Sequence, residues 1–279
     1  MEGSYRFMLG DAECFVVSDG EAPFGVRNLF ENAPEEELRS ALAGHGITGD
    51  TLMLPFQPLV VRLGRETILL DSGMGPGASP TLGLLPDSLR EIGIAPEDVT
   101  AVVLSHGHYD HVGGAVASDG RLLYPKANHF ICREELAFWE TPEALARAGE
   151  KRGLATQAKL ALLRDHLTPF SPGDEVLPGV RSVPAYGHTP YNLALRVTSG
   201  DASLLYVADA LAHPIHFQHP DWHLNPDLDP PTALGSRHRF LEESVTTGEL
   251  LCGYHLPLPA VGHVARAAAD AYRWHPLTA

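Results

Sequence analysis

Apolar residues fall along this chain in short alternating or continuous runs, divided by glycine, proline and aspartate. That rhythm predicts many short strands with helices between them. Tyr5–Leu9 and Glu13–Val17 read as strands joined at Gly10-Asp11. Leu59–Leu63 and Thr67–Leu70 form a second pair about Gly64-Arg65, and Val99–Leu104 is a fifth strand. Strands resume at Gly179–Pro184, Leu193–Thr198 and Leu204–Val207, with Leu250–Cys252 as the last. Helices are expected from Pro34 to Leu42, where proline and three glutamates suit a helix start, and from Asp87 to Ile92. Longer helical stretches are expected from about Arg133 to His166 and from Pro230 to about Val245. Residues 20–34 and 213–231 read as irregular. Strands precede helices in both halves, and no linker or fixed repeat interrupts them, so the expectation is one α/β domain over 1–279.

The Val99–Leu104 strand leads directly into His106-Gly107-His108-Tyr109-Asp110-His111, followed by Gly113-Gly114. Imidazole and carboxylate are the usual ligands of zinc and similar ions. Four such groups on one short loop can hardly serve a single tetrahedral ion, but they suit two ions side by side. Three later positions have the same character. His188, Asp209 and His255 each follow a predicted strand, within Gly187-His188-Thr189, Ala208-Asp209 and Tyr254-His255. Five histidines and two aspartates suffice for two ions with one bridging carboxylate, the arrangement of a dinuclear hydrolase.

Composition narrows the partners. The 35 acidic against 20 basic residues give a net charge of −15, which counts against nucleic acid and agrees with a small neutral substrate. Cys14, Cys132 and Cys252 are odd in number and form no CxxC pair, which favours three small buried side chains in a reducing compartment. The amino terminus carries no basic patch followed by an apolar stretch, and no segment approaches the ~18 apolar residues of a membrane span. The expectation is a cytoplasmic protein with no membrane contact.

The HxHxDH loop followed by a lone histidine, a strand-end aspartate and a final histidine resembles the metallo-β-lactamase superfamily. Asp71 in Leu70-Asp71-Ser72-Gly73 matches its first motif. The resemblance implies an αββα sandwich with the metals at one edge of the paired sheets. It implies that His106, His108 and His188 bind one metal, that Asp110, His111 and His255 bind the other, and that Asp209 bridges them. Asp71 would orient a ligand, and Asp110 and Asp209 would be the catalytic carboxylates, with Asp110 relaying a proton to the leaving group. The cofactors expected are two divalent ions, zinc first, with manganese, cobalt or iron as the other choices.

Position 108 is histidine where flavodiiron-type reductases carry glutamate, which points to a hydrolase. Asp209 argues against β-lactam hydrolysis, because true β-lactamases generally lack the bridging carboxylate. The stretch from His255 to Val264 is similar to methyl parathion hydrolase-like proteins and their quorum-quenching lactonase relatives, implying small esters, lactones or organophosphate triesters as substrates. Acyl-homoserine lactonases place a tyrosine three residues after the bridging aspartate, where this chain has Ala212. The alternatives are a mononuclear iron dioxygenase of the same fold and a metal-binding protein without turnover. Tyr109, Phe24, Phe30 and His213 are the expected pocket residues, with Leu29, Trp139 and Trp222 as further wall candidates. A homodimer through residues 20–34 is expected by the same resemblance.

Overall fold

The computed structural model describes residues 3–278. The first half contains β1 (Ser4–Leu9), β2 (Ala12–Val17), β3 (Gly20–Gly25), α1 (Val26–Leu29), α2 (Glu35–Gly44), β4 (Thr51–Phe56), β5 (Leu59–Leu63), β6 (Glu66–Leu70), α3 (Leu85–Glu91), β7 (Ala101–Leu104), α4 (Tyr109–Val112) and β8 (Asn128–Cys132). Next come α5 (Arg133–Trp139), α6 (Pro142–Ala148), α7 (Glu150–Leu163), β9 (Leu167–Phe170), β10 (Glu175–Leu177), β11 (Val180–Pro184), β12 (Leu193–Ser199) and β13 (Ala202–Tyr206). The chain ends with α8 (Ile215–Gln218), α9 (Pro230–Thr247), β14 (Leu250–Cys252), β15 (Val261–Ala268) and β16 (Ala271–Pro276).

The strands form two seven-stranded sheets, ordered β1-β2-β5-β6-β7-β8-β9 and β10-β11-β12-β13-β14-β15-β16, and a separate β3-β4 hairpin. Side-chain alternation explains how they stack. Leu59, Val61, Ile68, Leu70, Ala101 and Val103 join a core shared with Leu195, Val197 and Tyr206 of the second sheet. Their neighbours Val60, Leu69, Val102 and Leu104 turn outwards, onto Leu89 of α3, Phe138 of α5 and Leu160 of α7. Phe240 and Leu241 of α9 cover the second sheet. The architecture is the αββα sandwich expected. No helix among the described residues is long and apolar enough to cross a membrane.

Several boundaries differ from the sequence reading. Residues 20–34 are not irregular; they hold β3 and α1, and β3 pairs antiparallel with β4, a strand the pattern had not suggested. The stretch 133–166 is three helices and a 3₁₀ turn. Thr141 caps α6 through Ala144 N with Pro142 behind it, and Gly149 at φ 83° resets the chain before α7. Leu250–Cys252 is not the last strand, since β15 and β16 form an antiparallel hairpin after it. β8, β9 and β10 were also unforeseen, being three to five residues long.

The consequence for function lies at the strand ends. β6, β7, β8 and β9 run parallel, as do β13 and β14. Asp71, His106, Asp209 and His255 follow the carboxyl ends of β6, β7, β13 and β14, so all four meet at one edge of the sandwich. The β3-β4 hairpin, α1 and α2 form a third apolar cluster with Ala212, Ile215, Trp222 and Leu224 beside that edge.

Candidate metal centre

The hexapeptide leaves β7 and folds into the single turn α4, so that His106, His108, Asp110 and His111 point to one side. His106 Nε2 and His188 Nε2 lie 3.0 and 2.9 Å from His108 Nδ1, and His188 Nε2 lies 3.1 Å from Asp209 Oδ2. On the other side of Asp209, His111 Nε2 lies 3.1 Å from its Oδ1 and 3.4 Å from Asp110 Oδ2. His255 Nε2 lies 3.4 Å from Asp110 Oδ2 and 3.5 Å from Asp209 Oδ2. Two sets result, His106-His108-His188-Asp209 and Asp110-His111-Asp209-His255, with ligand atoms mutually within 4.8 Å in each. Asp209 belongs to both.

The outer hydrogen bonds decide which ring nitrogens face inwards. His188 Nδ1 donates to Asp227 Oδ1 at 2.8 Å, His111 Nδ1 to Asp71 Oδ2 at 2.8 Å, and His255 Nδ1 to the Pro55 carbonyl at 2.8 Å. Ser105 Oγ donates to Asp71 Oδ2 and therefore accepts from His106 Nδ1 at 3.0 Å. Four imidazoles thus hold their proton on Nδ1 and aim a bare Nε2 lone pair inwards. His111 Nε2 and Asp209 Oδ1 are both buried, 3.1 Å apart, and make no aligned hydrogen bond. Lone pairs and carboxylate oxygens facing one another are repulsive unless cations lie between them, so the donor set fits two divalent ions.

The electrostatics carry the same demand for positive charge. Burial opposes the charged form of His188, but Asp209 and then Asp227 override it and push its pKa up to about 10. Burial is likewise overridden at His255, which Asp209 and Asp110 push up to about 9. Asp209 and Asp110 resist burial in turn, and His111 is first among the groups holding both well below the usual carboxylate range. A proton or a metal ion can meet this demand at the same lone pairs.

Asp71 organises the site without facing its centre. Its backbone is left-handed at φ 61°, a conformation aspartate tolerates better than most residues. Oδ1 accepts from Ser105 N, and Oδ2 accepts from Ser105 Oγ, His111 Nδ1 and Tyr206 OH, each at 2.8 Å. The sequence neighbours Ser105 and His106 share a hydrogen bond, because Asp71 fixes the serine hydroxyl against the His106 ring. Asp227, Tyr206 and Tyr254, whose hydroxyl donates to the Asp110 carbonyl at 2.6 Å, were not foreseen either. No local motif marks them; only Tyr254 had a positional hint, as the neighbour of His255.

A cavity of about 310 Å³ opens over the two sets. Ala22, Phe24, Leu54 and Phe56 of the hairpin, with Leu29, give it an apolar lining, and Tyr109, Arg152 and Thr156 line it as well. Of the residues singled out from the sequence as pocket walls, Phe24, Leu29 and Tyr109 line this cavity. Phe30 and His213 do not. Phe30 is fully buried in the hairpin cluster, and His213 packs edge-on to Phe30 and lines a different cavity, beside His45. Trp139 and Trp222 are core residues. Val26, Leu29 and Phe30, apolar residues of the 20–34 segment expected to pair two subunits, are buried within the chain itself.

An αββα sandwich with a histidine-aspartate centre at the strand ends defines a class of metal-dependent proteins. Within that class the chain belongs to the metallo-beta-lactamase superfamily, whose sequence profile matches residues 58–255. It is similar to metallo-beta-lactamase domain-containing protein 1 of Mus musculus, at 53% identity over 75 residues, covering 25% of each protein. It is also similar to an N-acyl homoserine lactonase of Bacillus sp., at 28% identity over 188 residues, covering 58% of this chain and 66% of that one. The matches thus span between a quarter and two thirds of these curated relatives. Among solved structures it resembles AidC, a dizinc quorum-quenching lactonase in complex with the product N-hexanoyl-L-homoserine, with a TM-score of 0.91 and 29% identity over 99% of this chain and 98% of AidC.

Proposed function

We propose that this protein is a dinuclear metal hydrolase that opens lactones, or cleaves small esters, bearing an apolar acyl tail. The observation that carries the reading is the pair of ligand sets sharing Asp209 at the floor of an apolar cavity. His106, His108 and His188 would hold one ion, Asp110, His111 and His255 the other, and Asp209 both. Zinc is the first choice, as in AidC. When bound, such a pair supplies Lewis acidity and lowers the pKa of a shared water towards ~7.

The chain's own residues supply orientation and proton handling. Phe24, Leu54 and Phe56 exclude water and seat an acyl chain, burial that favours binding by ~25 cal/mol per Å² of apolar surface. Asp110 faces His111 and His255 through Oδ2 and lines the cavity with its side chain 22% exposed, so it is placed to pass a proton to the leaving oxygen. Asp227 and the Pro55 carbonyl keep His188 and His255 in the ligating tautomer. Ala212 leaves room where acyl-homoserine lactonases carry tyrosine, and Tyr109 also lines the cavity.

A single-iron dioxygenase is less favoured, because the Asp110-His111-His255 set is as fully assembled as the other. The core between the sheets draws on residues from Phe7 to Tyr272, which supports reading 1–279 as one domain. The reading is tested by metal analysis and by turnover of N-acyl homoserine lactones of graded chain length, simple aryl esters and a phosphotriester. Two ions per chain and faster turnover of acyl lactones than of triesters are expected. Absence of turnover on every member by protein carrying two metals per chain would sink it.

A further inference from the structure

We propose that Glu135 is a positioning residue that sets the spacing of the two loops carrying His106, His108 and His188. This rests on reading those histidines as metal ligands. Glu135 lies on α5, is fully buried, and forms no ion pair among the described residues. An isolated buried carboxylate is costly unless donors satisfy it. Here its oxygens are held by donors from three different segments. Oε1 accepts from Gly107 N at 2.9 Å and from Trp139 Nε1 at 2.7 Å, and Oε2 accepts from Thr189 Oγ1 at 2.7 Å.

Gly107 sits between His106 and His108 on the loop after β7, and Thr189 directly follows His188 on the loop after β11. Those strands belong to different sheets. One carboxylate therefore ties the two sheets together at the edge where the three histidines converge. Trp139, one turn along α5, completes the unit. Its indole fills the space a side chain at residue 107 would need, a Cβ there lying 2.2 Å from Trp139 Nε1. The same indole meets the His108 ring edge-on, with centroids 5.6 Å apart. By fixing Trp139, Glu135 fixes the surface on which His108 rests. The partners of both oxygens act as donors, so the ionised carboxylate is the form this site stabilises, against the burial that pushes its pKa up.

The test is cobalt(II) titration of the full chain, following the d–d bands site by site, together with thermal unfolding of the metal-free protein. Glu135→Asp keeps the charge but is one methylene short of spanning both loops. It is expected to weaken the three-histidine site at least tenfold while leaving the Asp110-His111-His255 site at wild-type affinity, so that the stoichiometry in limiting cobalt falls from two towards one. Glu135→Gln can still accept from Gly107 and Trp139 and donate to Thr189 Oγ1, and should recover affinity to within about threefold. Wild-type affinity at both sites in folded Glu135→Asp overturns the proposal, as does an equal loss at both sites, which would mark a general loosening. If Glu135→Asp does not fold, Thr189→Val, which removes one loop's tie, is titrated in its place, and either of those two results overturns the proposal there as well. A wild-type chain that takes up no cobalt refutes the metal reading itself, a result distinct from any ranking of the variants.

Discussion

Asp71 and His111 are 40 residues apart in sequence, yet Asp71 Oδ2 lies 2.8 Å from His111 Nδ1, with both side chains wholly buried. The same oxygen accepts from Ser105 Oγ and Tyr206 OH, so one carboxylate sets the tautomer of His111 directly and of His106 through the serine. An amide in that place turns one acceptor into a donor and favours a proton on the inward nitrogen of His111. Asp71→Asn is expected to weaken metal binding by about 10- to 100-fold, the usual cost of losing a ligand's orienting partner. Competition for zinc against a chromophoric chelator measures it; unchanged affinity would show that Asp71 serves folding alone.

The apolar wall makes a prediction about chain length. Ala22 lines the cavity opposite Leu54 in the hairpin register. Ala22→Leu adds three carbons to that wall. KM for a long-chain acyl lactone should rise about tenfold, a shift of ~1.4 kcal/mol, while a short-chain lactone is little affected. Equal effects on both substrates would mean that the acyl chain lies elsewhere.

Arg237 on α9 is buried and forms no ion pair with a carboxylate among the described residues. It donates instead to the carbonyls of Ala210, Pro220 and Trp222, holding the segment that runs from Asp209 to Asp227. Arg237→Met strands those carbonyls. The expected cost is about 2–4 kcal/mol of unfolding free energy, from unpaired buried acceptors. Denaturant unfolding of the metal-free variant measures this, and a change below about 1 kcal/mol would contradict the role.

His129 on β8 gives a pH dependence away from the metal centre. Burial pushes its pKa down to about 4, and the Ala127 backbone offsets this only in part. The folded pKa lies below the unfolded value of about 6.5. The folded state therefore holds fewer protons between those values, so this contribution to stability is complete above pH ~6.5 and declines as pH falls towards 4. Replacing His129 with leucine removes the titration. Relative to wild type, the variant should gain about 1–3 kcal/mol between pH 7.5 and pH 4.5 in denaturant melts. A pH-independent difference would exclude the mechanism.

Much of the proposed ligand set was legible because metal chemistry writes locally. Imidazoles and carboxylates two, four and five residues apart after an apolar strand have few other uses, and His188, Asp209 and His255 each come just after a strand, the first two directly behind Gly187 and Ala208. The inner strands were legible for a related reason: β7 throughout, β5 over Leu59–Val61 and β6 over Ile68–Leu70 are buried on both faces and read as short apolar runs. The hairpin β3-β4 was not. Its strands contain Gly20, Pro23 and Pro55, and each is extended chiefly because the other lies beside it.

The sequence by itself determined which residue types could hold ions, their order along the chain, and the family to which they belong. Tertiary structure decided which nitrogen of His106, His111, His188 and His255 faces inwards, because that depends on Asp71, Asp227 and the Pro55 carbonyl, each brought from a distant segment. It also decided that Glu135 binds two ligand loops, that Phe30 and His213 lie outside the cavity, and that a hairpin read as irregular builds the apolar wall. Ligand identity is a property of single side chains at short spacing. Orientation and enclosure are properties of surfaces that meet only when two sheets stack.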